Sequence, residues 1–544
     1  MQISKFEGIQ QYHDGRPVAD YCNMIPLGTS VIDRYGETIC YDYTEDPLDP
    51  VIETFVDSKQ NIYVCTRSKL FRYFRYGNGW NTQLMRNLGF YCEKASFCES
   101  STKPSQVYFC DGRSVFYWNI ENSNKALPPE AGYRGSAFVV TEIPFYENPD
   151  DITINGVSLD DWMDANAIPE NSDPMPTLYG WWPTADVDGV KINISSITWF
   201  DNRLVLVQTD KNTVWLSAVD PSRYTQPSFE YNGYYYPVLP WQVVSSQEPD
   251  SYYNAMFPNY YISTASSAVL QDAIAFAGSL YFLNNLTIEV WSATGNNDNP
   301  IQHNSQNTLY YGGRSPVIID DTLYLICKGA IHNDFIAAIN QTGAIEKVSN
   351  AEIELRLQPE TYRLRPLSIR DQAMIVAYCD RHYRNGFAMT KEKMWWRYFN
   401  DESRCMAWSL INIDGDIVGI SKYGTLLKAN EATRKFVDGT PVIRCIRGGF
   451  TQFAARKILR EVEVVCDTGV YLDSAMERPR LYLRVSFNRG LGFGPYLYRA
   501  LGAFGTNNRQ MLWRNCGSGN SLLLEFGTSD NVRFQVYGLR FELS

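Results

Sequence analysis

Histidine is scarce in this 544-residue chain, with four residues, and its twelve cysteines never form a C-x-x-C pair. Structural zinc sites show paired ligands a few residues apart, so no metal and no cofactor are expected. Thiols in apolar runs, as at Cys65, Cys110, Cys327 and Cys379, are expected to be buried and reduced. Positive charge is also short. Forty-nine Lys and Arg stand against 60 Asp and Glu, for a formal charge of −11 and a pI near 5.1. Sequence-independent grip on a phosphate backbone needs a basic stripe, so this balance argues against it. No apolar run reaches the roughly twenty residues of a membrane span. The best stretch, Val269 to Trp291, is interrupted by Asp272, Asn284, Asn285 and Glu289. The opening MQISKFEGIQQY lacks a basic segment followed by an apolar one, so a soluble chain not exported by a signal peptide is expected.

Catalytic signatures are missing as well. There is no G-x-S-x-G elbow, no H-E-x-x-H pair, no glycine loop ending in Lys-Ser or Lys-Thr, and no dinucleotide fingerprint. Carboxylates of a glycosidase could be sought at Asp111, Asp201, Asp320, Asp380 or Asp414. Each lies in or beside a tight turn, where Asp is favoured because its side chain satisfies local backbone donors. The sialidase-type turn Ser-x-Asp-x-Gly-x-Thr-Trp is absent, and Asp111-Gly112 before Phe116 and Trp118 is the nearest approach. No catalytic residue is assigned and no enzymatic activity is expected. A carbohydrate-binding or glycan-hydrolysing propeller remains the alternative.

What the sequence has in quantity is aromatic and apolar material, at 14% and 44% of residues. It is arranged as recurring strand pairs about a tight polar turn: ITWFDNRLVLVQ from Ile197, AIAFAGSLYFLN from Ala273 and PVIIDDTLYLIC from Pro316. An apolar strand, then Asp-Asn, Ala-Gly or Asp-Asp, then a second apolar strand is a hairpin signature. Two continue into a third strand carrying Trp215 or Trp291, and the third continues to a turn at Gln341-Thr342-Gly343. Looser versions occupy Glu53 to Phe74, Gln106 to Ile120, Gln372 to Tyr398 and Ser409 to Asn430. Repeated units of this kind predict blades about an axis, each buried on both faces. Spacing is uneven, so the array is not of the WD or kelch type. Helical signal is confined to Asn350 to Leu357.

Two insertions interrupt the units. From Glu147 to Val190 there is no Lys or Arg, while Glu147, Asp150, Asp151, Asp160, Asp161, Asp164, Glu170, Asp173, Asp186 and Asp188 are acidic. This block reads as a solvated loop or as a negative surface facing a partner. From Thr225 to Ala268 a Pro-containing stretch holds Tyr231, Tyr234, Tyr235, Tyr236, Trp241, Tyr252, Tyr253, Tyr260 and Tyr261. Such rings bury large area and keep a polar edge, which suits a contact surface. An arm packed on its own domain would look the same. Within the two, Tyr234, Tyr235, Tyr236, Trp241, Tyr252, Tyr253, Asp150, Asp151, Asp160 and Asp161 are the candidate partner-contact residues. After Ile458 the strands alternate polar and apolar residues with period two, as Leu481, Leu483, Val485 and Phe487 against Tyr482, Arg484 and Ser486. That is the pattern of a sandwich. In the segment from Gly490 to Gly519, glycines punctuate strand connections and leave arginines available for pairing between subunits. The fold expected is all-β, an irregular propeller with long insertions plus a C-terminal sandwich. Its divisions are an N-terminal segment 1–45, a propeller 46–440 with insertions at about 140–190 and 225–268, and a sandwich 441–544.

Several stretches carry a likeness in the same order along the chain: ADYCNMIPLG from Ala19, ISSITWFDNRLVLV, VWLSAVDPSRY to Tyr224, AIAFAGSLYFLNNLTIEVWSATG to Gly295, PRLYLRVSFNRG and RQMLWRNCGSG. With them the chain resembles the tail hub or nozzle proteins of short-tailed bacteriophages, the packaged-DNA stabilisation family. The two insertions have no obvious counterpart in shorter members. The resemblance implies a ring, usually of six copies, in the virion tail below the portal and its adaptor ring, with residues 1–45 as the segment expected to contact them. Such a ring would extend the DNA exit channel, help retain the packaged genome and anchor needle, spike or fibre proteins. DNA would pass without sequence-specific binding, and no stable membrane insertion is implied. An acidic lumen suits this, because it lets DNA slide without sticking.

Overall fold

The computed structural model describes residues 20–27, 30–41, 49–77, 79–101, 105–120, 193–209, 212–217, 269–296, 299–304, 308–309, 311–329, 334–357, 362–369, 372–379, 385–399, 407–472, 478–506 and 509–544. It also describes the short pieces 2–3, 12–13, 16–17, 141–142, 153–154, 157–158, 228–231, 234–237 and 259–262. The chain divides into two compact units, residues 49–314 and residues 1–48 with 315–544.

The first unit holds four antiparallel sheets of four strands, beside two short two-stranded ones. The first runs Val51–Val56, Ile62–Thr66, Lys69–Tyr76, Gly79–Asn87, and the second Ser96–Glu99, Gln106–Cys110, Val115–Asn119, Thr141–Glu142. The third runs Ile194–Phe200, Arg203–Gln208, Thr213–Leu216, Asn259–Ile262, and the fourth Leu270–Phe276, Ser279–Asn284, Ile288–Ala293, Ile301–His303. These are propeller blades. Their inner strands are buried on both faces, as Arg203–Gln208 is at every position. Alternate side chains of one strand serve two different cores. Leu204, Leu206 and Trp215 pack with Tyr108 and Tyr117 of the second sheet. Val205, Val207, Val214 and Leu216 pack with Leu280, Phe282 and Trp291 of the fourth. Full burial of an aliphatic side chain stabilises by about 1.5–3 kcal/mol, so both faces of such a strand gain from the stacking. This is why its sequence is an apolar run and not an alternation.

The hairpin turns follow from their chemistry. Two-residue turns matching the strand twist need positive φ at both positions. Asp201 and Asn202 take +48° and +58°, Ala277 and Gly278 +49° and +74°, Asp414 and Gly415 +51° and +85°. At Asn340 the side-chain Oδ1 accepts from the backbone N–H of Thr342 and of Ala344, which closes the turn at 341–343.

The second unit holds three further sheets of this kind. They are Gly312–Ile319, Thr322–Lys328, Asp334–Asn340, Ile345–Lys347; then Tyr362–Ile369, Gln372–Cys379, Asn385–Met389, Trp395–Phe399; then Ala407–Ile413, Asp416–Ser421, Leu426–Asn430. The last gains its fourth strand from Gly36–Tyr41, which pairs antiparallel with Leu426–Asn430. A helix, Ala351–Leu357, follows the first of the three, with the Asn350 side chain accepting from Ile353 N–H as its cap.

The C-terminal sandwich is organised by two long strands, Arg444–Cys466 and Met511–Thr528, paired antiparallel with bulges. Around them lie Arg480–Ser486, Leu497–Ala500 and Gln535–Leu543. The first half of Arg444–Cys466 also pairs with Asp20–Cys22, and Gln535–Leu543 pairs with Ser30–Asp33. The strands between residues 20 and 41 therefore belong to the sandwich and to the third sheet of this unit at once. A buried charge cluster holds the junction. Asp33 receives Arg434 Nε at 2.6 Å, Arg444 Nη1 at 3.1 Å and the Phe534 N–H at 3.1 Å, and all three charged side chains are at most 1% exposed. Burial lowers the Arg444 pKa to about 10 even with Asp33 beside it.

Candidate functional site

Four of the five carboxylates at which glycosidase chemistry could be sought are turn residues. Asp111 Oδ1 accepts from the N–H groups of Arg113 and Ser114, and Asp201, Asp320 and Asp414 sit at positive φ in hairpin turns. Asp380 lies outside the described residues. Among the described residues no group of three or more His, Cys, Asp or Glu side chains is placed so that it could hold a metal ion. Cys65, Cys110 and Cys327 are buried free thiols, whereas the Cys379 side chain is outside the described part.

Of the candidate contact residues, Tyr234, Tyr235 and Tyr236 lie in the strand Tyr234–Pro237, which pairs with Ser228–Tyr231 in a two-stranded sheet. Trp241, Tyr252, Tyr253, Asp150, Asp151, Asp160 and Asp161 fall outside the described residues.

The richest exposed chemistry is on the sandwich. In Arg480–Ser486, Leu481, Leu483 and Val485 are buried, which turns Arg480, Tyr482 and Arg484 to the other face. The neighbouring strand sets Tyr498 opposite Tyr482. Period two adds Tyr496 on the same side, and its ring stacks on Tyr498 at 5.9 Å and 17° and meets Tyr482 edge-on at 5.1 Å. Arginines interleave with these rings. Arg480 lies over Tyr498 at 4.7 Å, Arg484 over Tyr496 at 4.5 Å and over Phe493 at 5.0 Å, and Arg447 over the same Phe493 at 5.0 Å. The result is a ladder, Arg480–Tyr498–Tyr496–Arg484–Phe493–Arg447. Each cation–ring contact contributes about 0.5–1 kcal/mol at an exposed site and holds both groups in place.

Electrostatics at the ladder are lopsided. The carboxylate of Glu525 is buried and shared, pairing with Arg447 and with Arg484 Nη1 at 3.2 Å. Arg480 has no carboxylate partner among the described residues, and its side chain is exposed. Tyr496 and Tyr498 keep 50% and 47% of their surface in solvent, so large aromatic area faces outward. Burial, with the nearby Cys445 and Glu525, pushes the Tyr482 hydroxyl far above its ordinary range and keeps it neutral.

An open groove of about 640 Å³, walled by Val485, Phe487, Phe493, Pro495, Leu497 and Asn515, lies on the other face of the strands Arg480–Ser486 and Leu497–Ala500, the side of Leu483 and Val485. Glycines shape it. A Cβ at Gly519 would come within 2.6 Å of Phe487, so only glycine leaves the ring its place. Phe493 belongs to both ladder and groove. The sequence signals were the period-two spacing of Arg480, Tyr482 and Arg484 and of Tyr496 and Tyr498, but that pattern did not tell which strands are neighbours.

The fold and this surface define an all-β propeller protein with an appended sandwich. No protein-family model matches the chain, and comparison with curated proteins finds no match. Among solved structures it is similar to a streptogramin B lyase, with 10% identity, a TM-score of 0.40 and coverage of 73% of this chain and 98% of that one. It is also similar to YCF48 bound to D1 peptide, with 8% identity, a TM-score of 0.34 and coverage of 72% and 99%. BamB from Moraxella catarrhalis gives 9% identity, a TM-score of 0.31 and coverage of 73% and 97%. At these values the likenesses carry nothing about activity.

Proposed function

We propose that this chain is a structural subunit of a short bacteriophage tail, assembling into a hub or nozzle ring that extends the DNA exit channel, helps retain packaged DNA and anchors needle, spikes or fibres. The observation that carries the reading beyond the ordered resemblance is charge segregation. From residue 441 on there are 14 Lys and Arg against 8 Asp and Glu, a net +6 inside a chain of net −11. The first 440 residues therefore hold −17. Opposite charge on two parts of one chain favours head-to-tail contact between copies, and a heterologous contact closes into a ring when its rotation allows. Two like-charged faces would not associate this way.

Electron microscopy of the purified chain at low salt, with mass analysis of purified particles, tests the reading. Closed rings and a constant copy number per particle are expected. A chain that stays monomeric at all concentrations and is missing from particles would end it. A glycan array and a hydrolase screen are expected to be blank. Binding or turnover there would favour the carbohydrate reading instead.

A further inference from the structure

The ladder is an open acceptor, and the chain itself carries a segment of matching chemistry. Between residues 147 and 190 ten acidic residues occur with no Lys or Arg, and Trp162, Trp181 and Trp182 lie among them. The sandwich presents the converse. Arg456, Arg480, Arg489 and Arg499 are exposed there without a carboxylate partner among the described residues. The stacked rings of Tyr496 and Tyr498 stand about half in solvent there.

We propose that the ladder Arg480–Tyr498–Tyr496–Arg484–Phe493–Arg447 receives the acidic, tryptophan-bearing insertion 147–190 of a second copy of this chain. The proposal rests on the ring reading above and names the contact that would build it. Carboxylates meeting arginine guanidinium groups form charge-assisted hydrogen bonds, about twice as strong as neutral ones. Tryptophan, tyrosine and arginine are the side chains that dominate interface energetics when a ring of neighbours excludes water. The ladder offers rings already held in place by stacked cations, so docking orders few new side chains. Single-stranded nucleic acid also pairs stacked bases with arginine. It is disfavoured because the ladder offers only a few cations and no continuous basic stripe that would displace counterions along a phosphate backbone.

The test uses the full chain in sedimentation velocity at low and high salt, with Arg480→Glu, with Asp160→Lys/Asp161→Lys, and with all three changes together. The wild type is expected to self-associate at low salt. Each charge reversal is expected to weaken association about tenfold or more, and the combined chain to recover part of it, because Glu at 480 then faces Lys at 160 and 161. Arg480 is exposed, so an unchanged melting temperature and near-UV spectrum show that the variants fold. Rings that form normally with Arg480→Glu, or a loss that the combined chain does not rescue, overturn this contact and leave the ring reading standing. A monomeric wild type overturns both. Binding of a labelled oligo-dT that is lost in Arg480→Glu while assembly persists assigns the ladder to nucleic acid and overturns the proposal.

Discussion

Replacing Glu352 by Gln should remove a pH-dependent weakness from the second unit. Glu352 is the second residue of the helix Ala351–Leu357, is 4% exposed, and neither of its carboxylate oxygens finds a hydrogen-bond partner among the described residues. Burial, reinforced by the charge of Asp20, pushes its pKa from 4.5 up to about 8. The folded state therefore holds a proton that the unfolded chain releases above its ordinary pKa. Stability is greatest below about 4.5 and is lost progressively as pH rises to about 8, beyond which both states are charged. At about 1.36 kcal/mol per pKa unit this shift would amount to some 4–5 kcal/mol, and screening by nearby solvent brings it to about 2 kcal/mol. Urea unfolding of wild type and Glu352→Gln, measured from pH 5 to pH 9, isolates the term as a difference. The variant's advantage should grow across pH 5 to 8 and then level off. Curves that stay parallel over the whole range would refute the assignment of a buried neutral Glu352.

Other expectations follow from single contacts. Asp33→Ala leaves Arg434 and Arg444 buried without a countercharge, and thermal melting should show a loss of about 3–5 kcal/mol. Gly527→Ala would drive a Cβ into the Arg444 carbonyl oxygen of the neighbouring strand, so a loss above about 2 kcal/mol or an insoluble product is expected on expression. Cys327, whose pKa burial pushes up to about 12, should resist alkylation at pH 8 in mass spectrometry until the chain is unfolded. Phe493→Ala should leave the fold intact but cost about 1–2 kcal/mol in melting, since two arginines lose their ring.

Blades were legible in the sequence because a hairpin is a local object. Asp201-Asn202, Ala277-Gly278 and Asp414-Gly415 carry the turn and the flanking apolar runs carry the strands. The helix at 351–357 was legible for the same reason, through its capping Asn350. Residues 20–41 were not. Their partners lie about four hundred residues away, as for Asp33 with Arg434, and nothing in a short window of Gly36–Tyr41 says that it completes a sheet begun at Ala407. The ladder was half legible. Alternation placed Tyr482 and Arg484 on one face, but the approach of Phe493 depends on the register between Arg480–Ser486 and Leu497–Ala500. The basic sandwich was present in composition and hidden by a sum, since +6 disappears inside −11.

The ladder depends on more of the chain than its own strands. Glu525 fixes Arg447 and Arg484 from below, and Arg447 in turn feels Asp20, which sits opposite it on the strand Asp20–Cys22 and pairs with Arg397 of another sheet in the same unit. Asp20 is itself 2% exposed, and burial raises its pKa despite the arginine beside it. A row of alternating charges thus runs from the exposed rings inward to a strand near the beginning of the chain. Charges buried in such a row are costly unless every partner is in place. Arg447 and Arg484 consequently reach their stacking positions only when the early strand has docked on the late ones. If the ladder is where a second copy binds, the acceptor exists only on a chain that has folded at both ends, and partly folded chains are excluded from assembly without any separate check.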